Sequence, residues 1–307
     1  MTTASPALPD YVAAFRTYAW DDDIALLARR FFAACPSGRQ LVLADETRGP
    51  LGITGYEVVS HTSDLSALGL IDEPRGNALW FNVDYGLFAL RQACPGYSYY
   101  VTSESDLAVN LNLEPAIAAI AARGVDFVAH EIKPAEPDWG WYGTASGLFQ
   151  NQWRALLFFL ICSGRALDAL HGVRRIIGTA FTNGQLASWP FCESFVPTVI
   201  KLAGLSTAEI GEFAGTTNLK WRPWIPLDAP AANEPGTLAH SVLGRARFCR
   251  AIIKEFGVTG WHDPSMRVNI ALRRHYSLPD YAEFLREALE EAGDAEGMAR
   301  LSAALAQ

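Results

Sequence analysis

Two acids one residue apart, Glu104 and Asp106 in Ser103-Glu104-Ser105-Asp106, follow the aromatic-rich run Tyr97-Ser98-Tyr99-Tyr100-Val101-Thr102. That composition predicts a strand over about 99–102, and acids in the turn after a strand can meet one ion. Mg²⁺ and Mn²⁺ take oxygen ligands and are commonly shared between one or two carboxylates and substrate phosphates. An acid–x–acid pair also occurs in ordinary solvated turns, so its meaning depends on its surroundings. Two further polar clusters, Asp45-Glu46-Thr47-Arg48 and His61-Thr62-Ser63-Asp64, also close short apolar runs. Ser105 lies between the acids.

The elements that must position these residues alternate. Strands are predicted at 40–44, 56–60, 99–102 and 125–129, and helices at 83–92 and 114–123, the latter with Pro115 in its first turn. This alternation predicts an α/β fold with a parallel or mixed sheet and crossover connections. Ligands in such sheets collect beyond the carboxyl ends of the strands, where the three polar clusters fall. Residues 1–37 read as a helical extension with apolar positions at Ile24, Leu26, Leu27, Phe31 and Phe32. Asp21–Asp23 read as a helix cap rather than a metal site. Asn151–His171 reads as one long amphipathic helix ending before Gly172, 216–237 as a loop, and 278–305 as helical.

Composition bounds the partners. The chain has 307 residues, a net charge of −8 and no window dense in Lys or Arg, which excludes nucleic acid as a main partner. An acidic protein can still bind a nucleotide diphosphate if a metal supplies the positive charge. Five cysteines, an odd number with no CxxC, read as reduced thiols of a cytosolic protein. The first residues lack the basic start and apolar core of a signal peptide. The longest apolar run, Ala155–Cys162, is too short to span a bilayer, which leaves peripheral contact at the inner face of a membrane open. GxGxxG, GxxxxGK[ST] and GxSxG are all missing, against a dinucleotide-dependent oxidoreductase, a P-loop enzyme and a nucleophile-elbow hydrolase. The histidines at 61, 130, 171, 262 and 275 have no i, i+3 or i, i+4 spacing and do not read as a zinc site.

The run Trp80-Phe81-Asn82-Val83-Asp84-Tyr85-Gly86-Leu87-Phe88, then Pro95-Gly96-Tyr97-Ser98-Tyr99-Tyr100, then Glu104-x-Asp106 resembles a bacterial branch of the GT-A glycosyltransferases with their DxD signature. Asp138-Trp139-Gly140-Trp141 and Trp189–Thr198 look like acceptor-side elements of that group. The resemblance covers about 38–205, and here the first acid is Glu rather than Asp. It implies a GT-A-like (Rossmann-like) mixed sheet over 38–260, with helical extensions at 1–37 and 261–307. It further implies transfer of a sugar from a nucleotide-sugar donor to a glycan, polysaccharide or lipid-linked acceptor.

On that resemblance Glu104, Asp106 and a late histidine, His240, would hold Mn²⁺ or Mg²⁺, although some related enzymes work without metal. Asp45 and Glu46 would contact the nucleotide, with Thr47, Arg48, His61 and Ser105 beside them. Asp84 has two readings, a donor contact or a structural cap. Glu193 is the first candidate for the general base of an inverting transfer, and Asp138 the second. Glu193 reads equally as a helix cap. Trp139 and Trp141 are either flat faces for an acceptor sugar or core. Two other classes remain: a metal-dependent nucleotidyltransferase or sugar-nucleotide hydrolase, and a non-catalytic carbohydrate-binding protein.

Overall fold

The computed structural model describes residues 6–71, 78–257, 265 and 277–306. The chain divides into two compact units, Met1–Ser105 with Leu111–Gly215, and Asp106–Asn110 with Thr216–Gln307. The single domain expected over 38–260 is therefore divided near residue 215. The expected boundary at 260/261 lies outside the described residues, as do His262 and His275.

In the first unit the strands β1 (Tyr11–Thr17), β2 (Arg39–Asp45), β3 (Val58–His61) and β4 (Tyr99–Glu104) come first. After β5 (Leu107–Val109) of the second unit come β6 (Phe127–Pro134), β7 (Trp153–Ser163) and β8 (Thr207–Glu209). They make a seven-stranded sheet in the order β3-β2-β1-β4-β7-β6-β8. Only β7 runs antiparallel to its neighbours in this sheet. The fold is mixed α/β, as the alternation of elements predicts.

Two expectations fail for one reason. Tyr11–Thr17, expected within a helical extension, is a strand in the sheet interior, and only α1 (Asp22–Ala34) is helical there. Residues 153–163, expected to be helix, form β7, and the helix α5 (Gly164–Thr182) begins only after it. Both strands are buried on both faces, so neither shows the apolar–polar alternation that marks a half-exposed strand. Ser163 accepts from the Ala166 amide and caps α5, which runs on through Gly172. Asp21 caps α1 by accepting from the Ile24 amide at 2.8 Å, as the cap reading predicts.

The helices α2 (Ala78–Phe81), α3 (Val83–Ala93), α4 (Glu114–Ala122) and α6 (Cys192–Leu202) complete this unit. One buried ion pair ties α3 to α5. Arg174 donates to both oxygens of Asp84, at 2.6 and 3.0 Å, with both side chains fully buried. The guanidinium also donates to the Pro190 carbonyl and lies 3.7 Å from the Phe195 ring centroid, next to α6. Asp84 therefore neither faces a donor nor caps α3; both of its oxygens are held by Arg174.

The second unit has a three-stranded sheet in which β5 lies beside β11 (Thr237–His240), and β11 beside β9 (Gly215–Leu219). A two-stranded pair joins β10 (Ile225–Pro226) to β12 (Val242–Leu243). The segment expected as a loop over 216–237 thus carries short strands. Helices α7 (Arg245–Phe256), α8 (Ala282–Ala292) and α9 (Ala295–Leu305) share a core of Phe248, Ile252, Tyr281, Leu285, Leu289 and Leu301. The expected C-terminal helices exist, as part of this unit's core. All five cysteines are buried and free.

Removing one partner of a buried pair leaves an uncompensated charge. Arg174→Met is expected to destabilise the protein by about 3–5 kcal/mol in urea unfolding, with much of the loss recovered in Asp84→Leu/Arg174→Met. A single mutant as stable as the native chain would contradict this account of the pair.

Candidate functional site

Parallel pairing brings the carboxyl ends of β1 to β4 to one edge of the first unit's sheet. Arg16 of β1 stands in register with Leu43 of β2 and Glu104 of β4, and Asp45 of β2 pairs with His61 of β3. Arg16 Nη2 donates to Glu104 Oε1 at 3.3 Å and to the Leu157 carbonyl at 2.6 Å. Its side chain is 11% exposed and that of Glu104 30%. Arg16 has no counterpart in the sequence reading. It sits inside a seven-residue strand with no turn or motif to mark it, and only the register places it beside Glu104.

The other residues of this edge are partly occupied in shaping their own turns. Asp45 accepts from the Thr47 amide at 2.9 Å, and the Thr47 hydroxyl accepts from Ser63 N. Glu46 accepts from the Leu51 amide and the Ser60 hydroxyl, and these bonds hold its pKa below the ordinary value. Arg48 is exposed and Ser105 is buried. His61 lies against α3, where a Cβ at Gly86 would come within 3.3 Å of its Nε2; glycine permits that approach. Its Nδ1 is buried without a hydrogen-bond partner. Burial lowers its pKa, against the opposing pull of Asp45 and Glu46.

Within the second unit, β5 and β11 are antiparallel and His240 pairs with Leu107, the residue after Asp106. His240 Nε2 stands 3.5 Å from Asp106 Oδ1, and Ser241 donates its hydroxyl to Asp106 Oδ2. His240 is 4% exposed and Asp106 24% by side chain. The Nδ1 of His240 lies 2.9 Å from the Lys220 carbonyl. A carbonyl can only accept, so Nδ1 carries a proton, and Nε2 is the ring nitrogen that faces Asp106. Burial raises the Asp106 pKa, but the charge and hydrogen bond of His240, the Ser241 hydroxyl and the charge of Arg247 outweigh it and bring it to about 2. Asp106 is a carboxylate at any physiological pH. Sequence reading chose this acid and this histidine, and the structure joins them. Glu104 ends β4 two residues earlier in the chain.

The residues expected on the acceptor side lie in the first unit. Glu193 is half-buried in the first turn of α6; the cap residue is Phe191, which makes no side-chain cap bond. Asp138 is exposed in the loop after β6. Trp141 stacks on Phe191 with centroids 4.3 Å apart, and Phe81 and Trp80 close round it. Trp139 lies beneath the Arg154 guanidinium, 5.6 Å from its centroid. Trp80, 52% exposed, is the open edge of the aromatic group and was missed because a tryptophan on a short helix reads as core.

No protein-family model matches the chain, and no curated protein does. Among solved structures it is similar to a glycosyltransferase involved in the glycosylation of the major capsid of PBCV-1. That similarity has 11% identity and a TM-score of 0.39, and covers 76% of this chain and 92% of that one. Among the described residues, no helix is long and apolar enough to cross a membrane.

A neutral His61 in the folded state, with a depressed pKa, contributes stability that is complete above its ordinary value of about 6.5 and is lost as pH falls through the folded value. Between pH 7 and 5 the urea midpoint of the native chain is expected to fall more than that of His61→Gln. Parallel pH profiles for the two proteins would refute this reading of His61.

Proposed function

We propose that the chain is a metal-assisted glycosyltransferase of GT-A type that takes a nucleotide-sugar donor and a glycan or lipid-linked acceptor. The observation that carries this reading is the Asp106–His240 pair. An aspartate oxygen and an imidazole nitrogen face each other, and the far ring nitrogen is held by a backbone carbonyl, the arrangement that fixes a histidine ligand's tautomer. Glu104, joined to Asp106 through Ser105 alone, is the third ligand of this reading. A donor set of two carboxylates and an imidazole fits Mn²⁺ better than Mg²⁺, which prefers oxygen alone.

The bound cation would offset the charge that grows on the diphosphate as the bond to the sugar breaks. The chain's own residues do the rest of the work. Lys220 fixes the His240 ring through its carbonyl, and Ser241 keeps Asp106 oriented through the hydrogen bond to its second oxygen. Asp45, Thr47, Arg48, His61 and Ser105 line the nucleotide end, at or beside the carboxyl ends of parallel strands where nucleotides bind in α/β sheets. Glu46, committed to its turn, shapes that end through the Leu51 and Ser60 bonds.

On the acceptor side, Glu193 lies in the first turn of α6, two residues after Phe191 of the Trp80–Trp141–Phe191 group. An aromatic wall suits a sugar ring, and a carboxylate can take the proton that the ring's reacting hydroxyl must lose. Glu193 is the proposed base of an inverting transfer and Trp80 the proposed stacking face, with Asp138 and Trp139 in the adjoining loop. Trp141 supports that wall, since its face is taken by Phe191.

The reading is tested by thermal shift with UDP-, GDP-, CMP- and dTDP-sugars, each with and without Mn²⁺. Stabilisation that needs both the metal and one nucleotide, and is lost in Asp106→Ala, is expected; no response to any of the four would defeat the proposal. With the donor so identified, Glu193→Gln should lower kcat by about 10²–10⁴-fold while donor binding holds. Near-native turnover would remove Glu193 from this role.

A further inference from the structure

The helical layer of the first unit carries a cleft that the proposed transfer does not use. It has a volume of about 540 Å³ and lies between the helices α3 and α5 and the 3₁₀ turn Ser66–Leu68. Arg91 and Gln92 line it from α3, and His171 and Arg175 from α5. Arg91 also donates to the hydroxyl of Tyr100 in β4. Tyr100 precedes Glu104 by four residues of extended strand, roughly 13 Å, so Arg91 stands toward the end of the sheet opposite its carboxyl edge.

The lining is cationic and held in place. Its charged side chains are Arg91 and Arg175, and no carboxylate is among the described residues that line it. Arg91 is fixed, with Nε and Nη2 each 3.0 Å from an oxygen of Asp168 and Nη1 2.7 Å from the Tyr100 hydroxyl. Asp168 offsets the charge of Arg91, so the exposed Arg175 supplies the positive excess. Gly69 has φ +70°, and a Cβ there would come within 2.8 Å of Arg175 Nε; glycine lets the turn close on the guanidinium. The His171 ring stacks on Phe88 with centroids 4.9 Å apart, and its Nε2 donates to the Leu68 carbonyl at 2.8 Å, which ties the turn to α5. Guanidinium forks match the oxygens of a phosphate. A phosphate alone would fill little of the cleft, since pockets of roughly 300–1,000 Å³ take whole small molecules. Gln92 and Ser66 offer hydrogen bonds to hydroxyls beside the phosphate, and Phe88 and Leu68 offer apolar surface.

We propose that this cleft is an accessory site for a small phosphate monoester, about the size of a sugar phosphate, whose phosphate is taken by Arg175 with Arg91 as the second cation. The site lies within the first unit, needs no metal and does not depend on the transferase reading.

The experiment is calorimetric titration of the full-length chain, in EDTA, with glucose 6-phosphate, inorganic phosphate and glucose, alongside sedimentation with phosphatidic acid vesicles. Glucose 6-phosphate is expected to bind, inorganic phosphate more weakly and glucose not at all. Arg175→Gln should weaken glucose 6-phosphate binding on the order of tenfold, because a charge-assisted hydrogen bond is lost. Arg175→Lys, which keeps the charge without the fork, should fall between. Gln92→Glu, which puts a carboxylate into the lining, should also weaken it. Both positions are exposed on helices, and circular dichroism checks folding of each variant. Asp106→Ala should bind the ester as the native chain does; loss of binding there would move the ester to the transferase site and overturn the accessory site. No binding of glucose 6-phosphate, or an affinity unchanged in both Arg175→Gln and Gln92→Glu, would overturn the proposal. Vesicle binding without glucose 6-phosphate binding would overturn the assignment to a soluble ester.

Discussion

The parallel pairing of β1 with β2 on one side and β4 on the other is the constraint from which the first unit's chemistry follows. A parallel ladder needs crossover connections, so covering elements must lie between the strands, and the strands become buried on both faces. α1 carries the chain from β1 to β2, and α3 precedes β4. Every strand of this set then points its carboxyl end to the same edge, and Arg16, Asp45, His61 and Glu104 gather there from four separate stretches of sequence. Only the ladder's register makes Arg16 and Glu104 neighbours.

The carboxylates fall into two physical groups. Asp84 and Asp126 are saturated. Asp84 has Arg174 across both oxygens, and Asp126 accepts from the Ser163 hydroxyl, both arms of Arg165, and the amide and hydroxyl of Ser206. Such acids are buried at high desolvation cost and can remain only when fully hydrogen-bonded. Glu104 and Asp106 instead keep 30% and 24% side-chain exposure. The first two are enclosed by their partners, whereas the second two combine partners with surface open to solvent.

This distinction explains how much was legible. The alternation of strands and helices from 39 to 129 could be read, because α3 and α4 are bounded by turn residues and the early strands are short apolar runs ending in polar clusters. The acid pair and His240 could be read as types, and β5–β11 pairing does bring Asp106 and His240 together. β1 and β7 could not, because a strand buried on both faces has the same apolar content as a buried helix. Asp84 was misassigned for a related reason. An acid near a helix start reads as a cap or a ligand, and nothing local reveals an arginine 90 residues away on another helix. Trp80 and Arg16 were missed because their significance lies in packing and register, which single-sequence spacing does not carry.

Asp106 takes its character from contacts far along the chain. The chain leaves the first unit between Ser105 and Asp106 and rejoins it at Leu111, so the three residues of β5 are an isolated insertion into the second unit's sheet. Ser241, the partner of Asp106, lies 135 residues further on. An insertion this short has little stability of its own and depends on β11 for its backbone bonds. A cation held by Asp106 and His240 would bridge the same two segments through their side chains. Cation binding and β5–β11 pairing would then favour one another, since an ion that binds the folded arrangement adds its binding free energy to that arrangement's stability. On this view Asp106 is held in place by long-range pairing alone, and takes up its position beside His240 and Ser241 only when the second unit is folded.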